Sequence, residues 1–236
     1  MRMRTYSAFA LAATLAACAQ PAPVNVAAAA PPPPPAAAPM PPPPPPPPRP
    51  HGPMPKFVPP SHDPAAVPSG TYKIEPNHTQ VMFSVLHFGI TPFYGTFSQA
   101  AGSLTVDAKN PAADQLDVGV PVDSVYTTSP RLTEELKSKP WLDAADYPTM
   151  TFKSTKVVPT SKTTARVYGD LTLHGVTKPV TFYASFVAAG VNPMMHLLNV
   201  GFTVTGTIKR SDFGVSAAVP LVSDETKIII SAAFVQ

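Results

Sequence analysis

The sequence predicts an all-β protein: an antiparallel β-barrel with one short helix, preceded by a signal peptide and a disordered proline-rich linker. Three observations predict it. From Gly70 onward, apolar residues return at every second position in many short runs, the spacing of strands with one buried face. A single segment departs from that period and carries helix-start chemistry. Most of the 34 prolines lie before Ser69, where aromatic residues are almost absent.

The elements follow in chain order. Arg2 and Arg4 form a basic start, and Ala8 to Ala17 form an apolar stretch too short to span a membrane. It ends in Leu15-Ala16-Ala17-Cys18, which resembles the lipobox of bacterial lipoproteins. That resemblance implies a signal peptide over residues 1–17 and a lipidated Cys18 as the new N-terminus. The alternative is an ordinary secretory signal with an incidental cysteine. Each buried acyl methylene contributes ~0.8 kcal/mol, so more than one chain on Cys18 gives a stable membrane anchor. By resemblance to enterobacterial sorting, Ala19 favours the outer membrane. Cys18 is the only cysteine, which excludes an internal disulfide framework.

Residues 18–69 are expected to be a linker. "PPPPPAAAPMPPPPPPPPRP" has too few amide donors to join a helix or sheet and favours polyproline II, a stiff spacer rising about 3.1 Å per residue. It reads as a tether, with a ligand for a proline-recognition domain as the alternative. His51 and His62 lie in it and are expected to be solvated.

Residues 70–236 form the predicted barrel. "VMFSVLH" puts Phe83, Val85 and His87 on one face, and "QLDVGVPV" does so with Val118 and Val120. "TMTFKST" contributes Met150 and Phe152, "RVYGDLTL" Leu171 and Leu173, and "VTFYASF" Phe182. Phe202 and Val204 follow, and Ile228, Ile230 and Phe234 end the series. "HGVT" at 174–177 is the turn of a hairpin. Ser129 and Pro130 have N-cap and first-turn chemistry, and Leu132 and Leu136 share a side, so a helix is expected over 130–139, stopped by Pro140. Eight to ten strands suffice to close a barrel and remove its edges.

The chemistry-bearing residues exclude more than they suggest. The net charge of +3 is dispersed, with no Lys/Arg run, so nucleic acid is not expected as a partner. His78, His87, His174 and His196 lack metal-ligand spacing, and no nucleophile elbow or phosphate loop is present. Neither a metal nor a catalytic residue is assigned. An apolar inward face serves equally for a barrel filled by side chains and for one holding an apolar ligand.

"HTQVMFSVLHFGITPFYGTF", "WLDAADYPTMTFKST", "GDLTLHGVTKPVTF" and "GTIKRSDFG" occur in the order and spacing of the YceI-like family, which the chain resembles from Gly70 to Gln236. The family consists of bacterial periplasmic proteins that bind polyisoprenoids. The resemblance implies a lipocalin-like barrel whose interior holds an isoprenoid or quinone tail, with no cofactor beyond that lipid. The implied wall comprises Phe83, Val85, His87, Val118, Val120, Met150, Phe152, Leu171, Leu173, Phe182, Phe202 and Val204. His87 is a characteristic family position, expected either as a satisfied buried histidine or as a headgroup contact. Arg210, Ser211 and Asp212 are expected to fix a turn. Relatives carry Asp and His where Thr133 and Glu135 stand here, so no headgroup contact carries over to these two residues. With the anchor, the expected protein is a carrier or scavenger on the periplasmic side of the bacterial envelope. The alternatives are an envelope lipoprotein with a filled barrel and a lipid-modifying enzyme. A homodimer is compatible with the sequence.

Overall fold

The computed structural model describes residues 56–236; Cys18, the signal peptide, His51 and most of the proline-rich segment lie outside the described residues. Ten antiparallel strands follow in chain order: β1 (Gly70–Ile74), β2 (Gln80–His87), β3 (Thr91–Phe97), β4 (Ala101–Val106), β5 (Gln115–Pro121), β6 (Thr149–Pro159), β7 (Thr164–Leu173), β8 (Val176–Val191), β9 (Leu198–Lys209) and β10 (Glu225–Val235). One helix, α1 (Pro130–Lys137), stands between β5 and β6.

The sheet closes as expected. Strands pair in the order β1-β4-β5-β6-β7-β8-β9-β10, and β10 returns to β1 through Lys73–Val235 and Ile74–Phe234. That ring is an eight-stranded closed barrel. The hairpin of β2 and β3 extends it: Ile230 of β10 pairs with Val81, and β2 pairs with β3 from Val81–Phe97 to His87–Thr91. Register shifts at Ser154/Lys156 and Phe186/Ala188 mark irregularities where a long strand gains curvature.

Local chemistry explains the connections. β7 and β8 turn on His174 and Gly175, with φ of 52° and 73°. Two central residues at positive φ suit the right-handed twist of a two-residue hairpin. In α1, the Ser129 hydroxyl accepts from Leu132 N and Pro130 occupies the first turn. The helix stops at Lys137, two residues before the sequence-based limit: Ser138 is already extended, and its N–H donates to Glu135 O.

The N-terminal boundary differs from expectation. The described chain pairs with the barrel from Ser61, ahead of Gly70: Ser61 and Ala189 exchange backbone hydrogen bonds of 2.8 and 2.9 Å. Asp63 caps a short 3-10 turn at Pro64–Ala66, Val67 enters the core, and Tyr72 Oη donates to Pro68 O at 2.8 Å. His62 is not merely solvated; its Nδ1–H donates to Val187 O at 2.8 Å.

Candidate functional site: an elongated apolar cavity

Inward side chains of the strands enclose a cavity of about 620 Å³. All twelve residues named from the sequence as wall residues lie along it. Its length can be read from β10, where Thr226, Ile228, Ile230, Ala232 and Phe234 all line it. Eight residues at ~3.4 Å each make a path of about 27 Å. Barrel strands tilt by roughly 35–45° from the axis, so the cavity runs about 20 Å along the barrel, an elongated rather than a compact space.

Aromatic rings keep the bore open by lying along the wall. Phe83 covers Gly95, Phe152 covers Gly169, and Phe182 covers Gly206; a Cβ at any of these glycines would overlap the ring. Phe83 and Gly95 are direct cross-strand partners. A ring seated over a glycine occupies the space its neighbour's side chain would have used and adds apolar surface without crossing the bore. Phe152 and Phe182 also meet edge to face at 5.2 Å.

The two ends differ. Tyr72, Val67, Val200, Ala232 and Phe234 pack as one buried cluster at the end where β1 begins and β10 finishes. At the opposite end stand the β2–β3 turn, α1 and the segment between β9 and β10. There Phe88, Leu132 and Leu221 line the cavity and are also exposed, which makes this end the mouth. His87 sits here as well. It is exposed, meets the Phe88 ring edge-on at 4.2 Å, and makes no side-chain hydrogen bond among the described residues, so it is not a satisfied buried histidine. Its position at the strand end places it past the core, which alternation alone does not reveal.

Polar wall residues are few. Just inside the mouth, Arg210 is 6 % exposed and donates through Nε, Nη1 and Nη2 to the carbonyls of Ser223, Val215 and Val222 at 2.8–2.9 Å. It fixes the turn as expected, with Ser211 bonded to Asp224. Burial pulls the guanidinium below its ordinary pKa, and the Asp224 charge opposes this. The Arg210 guanidinium carbon lies 5.6 Å from the ring centroid of Trp141, which also lines the wall. Thr133 hydrogen-bonds Thr127 and so ties α1 to the preceding loop, while Glu135 reaches the wall. At the far end, burial pushes the Asp114 carboxyl up to about 6; a hydrogen bond from Asp107 N opposes this and the Asp107 charge adds to it.

Sequence reasoning missed Asp114 and the wall contributed by β1, β3 and β4. Those strands are short and rich in Gly, Thr and Ser, which dilutes their alternation. The spacing of Phe93, Gly95 and Phe97 was a usable signal. No group of three or more His, Cys, Asp or Glu suited to a metal occurs among the described residues.

A closed antiparallel barrel around a narrow apolar bore is a small-ligand-binding architecture. The family model for the YceI-like domain matches residues 72–234, and the chain belongs to that family. Protein YceI of Escherichia coli O157:H7 is 40 % identical over 167 residues, covering 70 % of this chain and 86 % of that protein. A UPF0312 protein of Yersinia pestis is 37 % identical over the same length and shares. Among solved structures, the Campylobacter jejuni YceI protein has a TM-score of 0.56 at 26 % identity, covering 64 % of this chain and 88 % of that one. A polyisoprenoid-binding domain from Saccharophagus degradans, implicated in plant cell wall breakdown, shares the fold: TM-score 0.54, 12 % identity, 70 % and 97 % coverage.

Proposed function

We propose that the barrel binds an isoprenoid or similarly long apolar lipid, such as a quinone tail, and serves as an envelope-tethered carrier or scavenger. The observation that carries this reading is the bore: about 620 Å³, elongated along the barrel, and walled by apolar side chains. Moving apolar surface from water into such a bore contributes about 25 cal/mol per Å². The space left between side chains weighs against the filled-barrel alternative. The name of the Saccharophagus domain supports an isoprenoid by analogy of fold. In this reading Cys18 is acylated and holds the protein on the periplasmic side of the outer membrane. Catalysis has less support: of the ionisable wall residues, Asp114 stands at one end of the bore and His87, Glu135 and Arg210 at the other, and no hydrogen bond joins any two of these side chains.

The test is mass spectrometry of the full chain produced in a bacterial periplasm, native and then after organic extraction. A stoichiometric isoprenoid is expected. Protein that emerges empty and refuses added polyprenyl quinones would sink the carrier reading.

A further inference from the structure

The mouth carries apolar residues that no core requires. Ile90 is 78 % exposed, Leu221 57 % and Phe88 56 %, with Leu132 and Val219 beside them. They come from three separate segments: the β2–β3 turn, α1, and the segment between β9 and β10. Phe88, Leu132 and Leu221 also line the bore, so the exposed rim and the cavity wall are one continuous apolar surface. An exposed apolar cluster of this kind marks an interaction surface.

We infer that this rim docks into a lipid bilayer, so that the apolar ligand passes between membrane and bore without meeting water. The inference rests on the lipid-binding reading and adds the site of exchange. Continuity decides the occupant. A chain leaving the mouth of a barrel held in water exposes its apolar surface at about 25 cal/mol per Å², whereas a rim seated among acyl chains removes that barrier. Charge beside the rim agrees. Arg131, Lys137 and Lys139 stand among Glu134, Glu135, Asp143 and Asp146, with Lys137–Glu134 and Lys139–Asp146 paired at 2.9 and 3.0 Å, and Arg210, Asp212 and Asp224 belong to the segment between β9 and β10. These interspersed signs form no single-sign patch for a strongly charged protein partner and leave apolar insertion as the attraction.

Nor does an anchor at Cys18 oppose this orientation. The described chain joins the barrel through Ser61 and Ala189, at the end away from the mouth. Residues 18–56 can span on the order of 100 Å at full extension. The longest strand, β8 with 16 residues, reaches only about 50 Å. The covalent length therefore lets either end of the barrel face the membrane.

Trp141 provides the probe, since it is the only tryptophan and stands on the wall behind the rim. The full chain is reconstituted with phosphatidylcholine vesicles, plain or carrying brominated acyl chains, and the isoprenoid content of the same preparation is measured by mass spectrometry. We expect brominated lipid to quench Trp141, and Ile90→Glu with Leu221→Glu to abolish the quenching. Met194→Glu should not, although Met194 is 75 % exposed, because it lies in the β8–β9 loop away from the mouth. An anchored protein stays on vesicles in every variant, so the readout is orientation rather than attachment. Isoprenoid present without quenching overturns the docking and leaves the carrier intact. Quenching equally lost with Met194→Glu, or retained in the double variant, also overturns it. Quenching lost only with the rim variants supports docking even if the protein holds no isoprenoid, in which case the carrier reading is the one that fails.

Discussion

At the scale of residues, two kinds of position set the bore's properties. The first is the glycine under an aromatic ring. Gly206 has no positive φ to protect, and a Cβ there would meet the Phe182 ring. Gly206→Ala should therefore push Phe182 into the bore, lower lipid occupancy, and cost about 1–3 kcal/mol by overpacking. Adding Phe182→Leu should restore part of both, as coupling between contacting residues requires. Urea denaturation and mass spectrometry read the two effects, and independent additive losses would contradict the account. The second is Asp114, whose folded pKa of about 6 exceeds its ordinary 3.8. Its ionised form is the disfavoured one in the folded state. The destabilisation is thus absent below about 3.8, grows as pH rises, and is complete above about 6. Asp114→Asn keeps an acceptor for Asp107 N and should raise stability above pH 6 by on the order of 1 kcal/mol, reduced by the group's partial exposure. Thermal melts should converge at pH values below 3.8. A gain independent of pH would show that burial of the charge is not its source.

At the scale of elements, the segment ahead of β1 behaves as part of the barrel. Val67 is buried, Ser61 pairs with Ala189, and Lys162 reaches Asp63 at 3.2 Å. A chain starting at Gly70 loses all three, and the Val67 side chain alone is worth about 1.5–3 kcal/mol. We expect residues 70–236 to be less stable than residues 56–236 by at least about 1.5 kcal/mol, read from urea denaturation. Equal midpoints would mean that the segment only rests on the surface. Composition hid this element because Pro, Ser and Ala carry no period and Val67 stands alone. By contrast, β2, β5 to β10 and α1 were legible, since each repeats its period or carries its own cap. The far ends of β6 and β8 were not. Each passes through a register shift, and after an extra residue the alternation changes phase.

At the scale of the whole molecule, alternation told which side chains point inward but not how far apart opposite walls stand. Phe83, Phe152 and Phe182 were legible as inward residues; that each lies over a glycine of a neighbouring strand depends on register, which periodicity does not carry. The same limit hid Arg210 and Trp141 as neighbours, since they are distant in sequence and meet only on closure. A barrel built this way gives up the contacts that a filled centre would make, and a bound apolar chain supplies them. Occupancy should therefore appear as stability, by RT ln(1 + [L]/Kd), or ~2.7 kcal/mol at a hundredfold excess over Kd. For a domain of this size each kcal/mol moves Tm by about 2–4 °C. Lipid removed by mild organic extraction should lower Tm by roughly 5–10 °C, and added polyprenyl quinone should restore it. Short water-soluble quinones should not, because they leave most of the bore's length empty. If extracted and lipid-loaded protein melt together, the bore contributes no binding energy to the fold, and the cavity is not where the lipid resides.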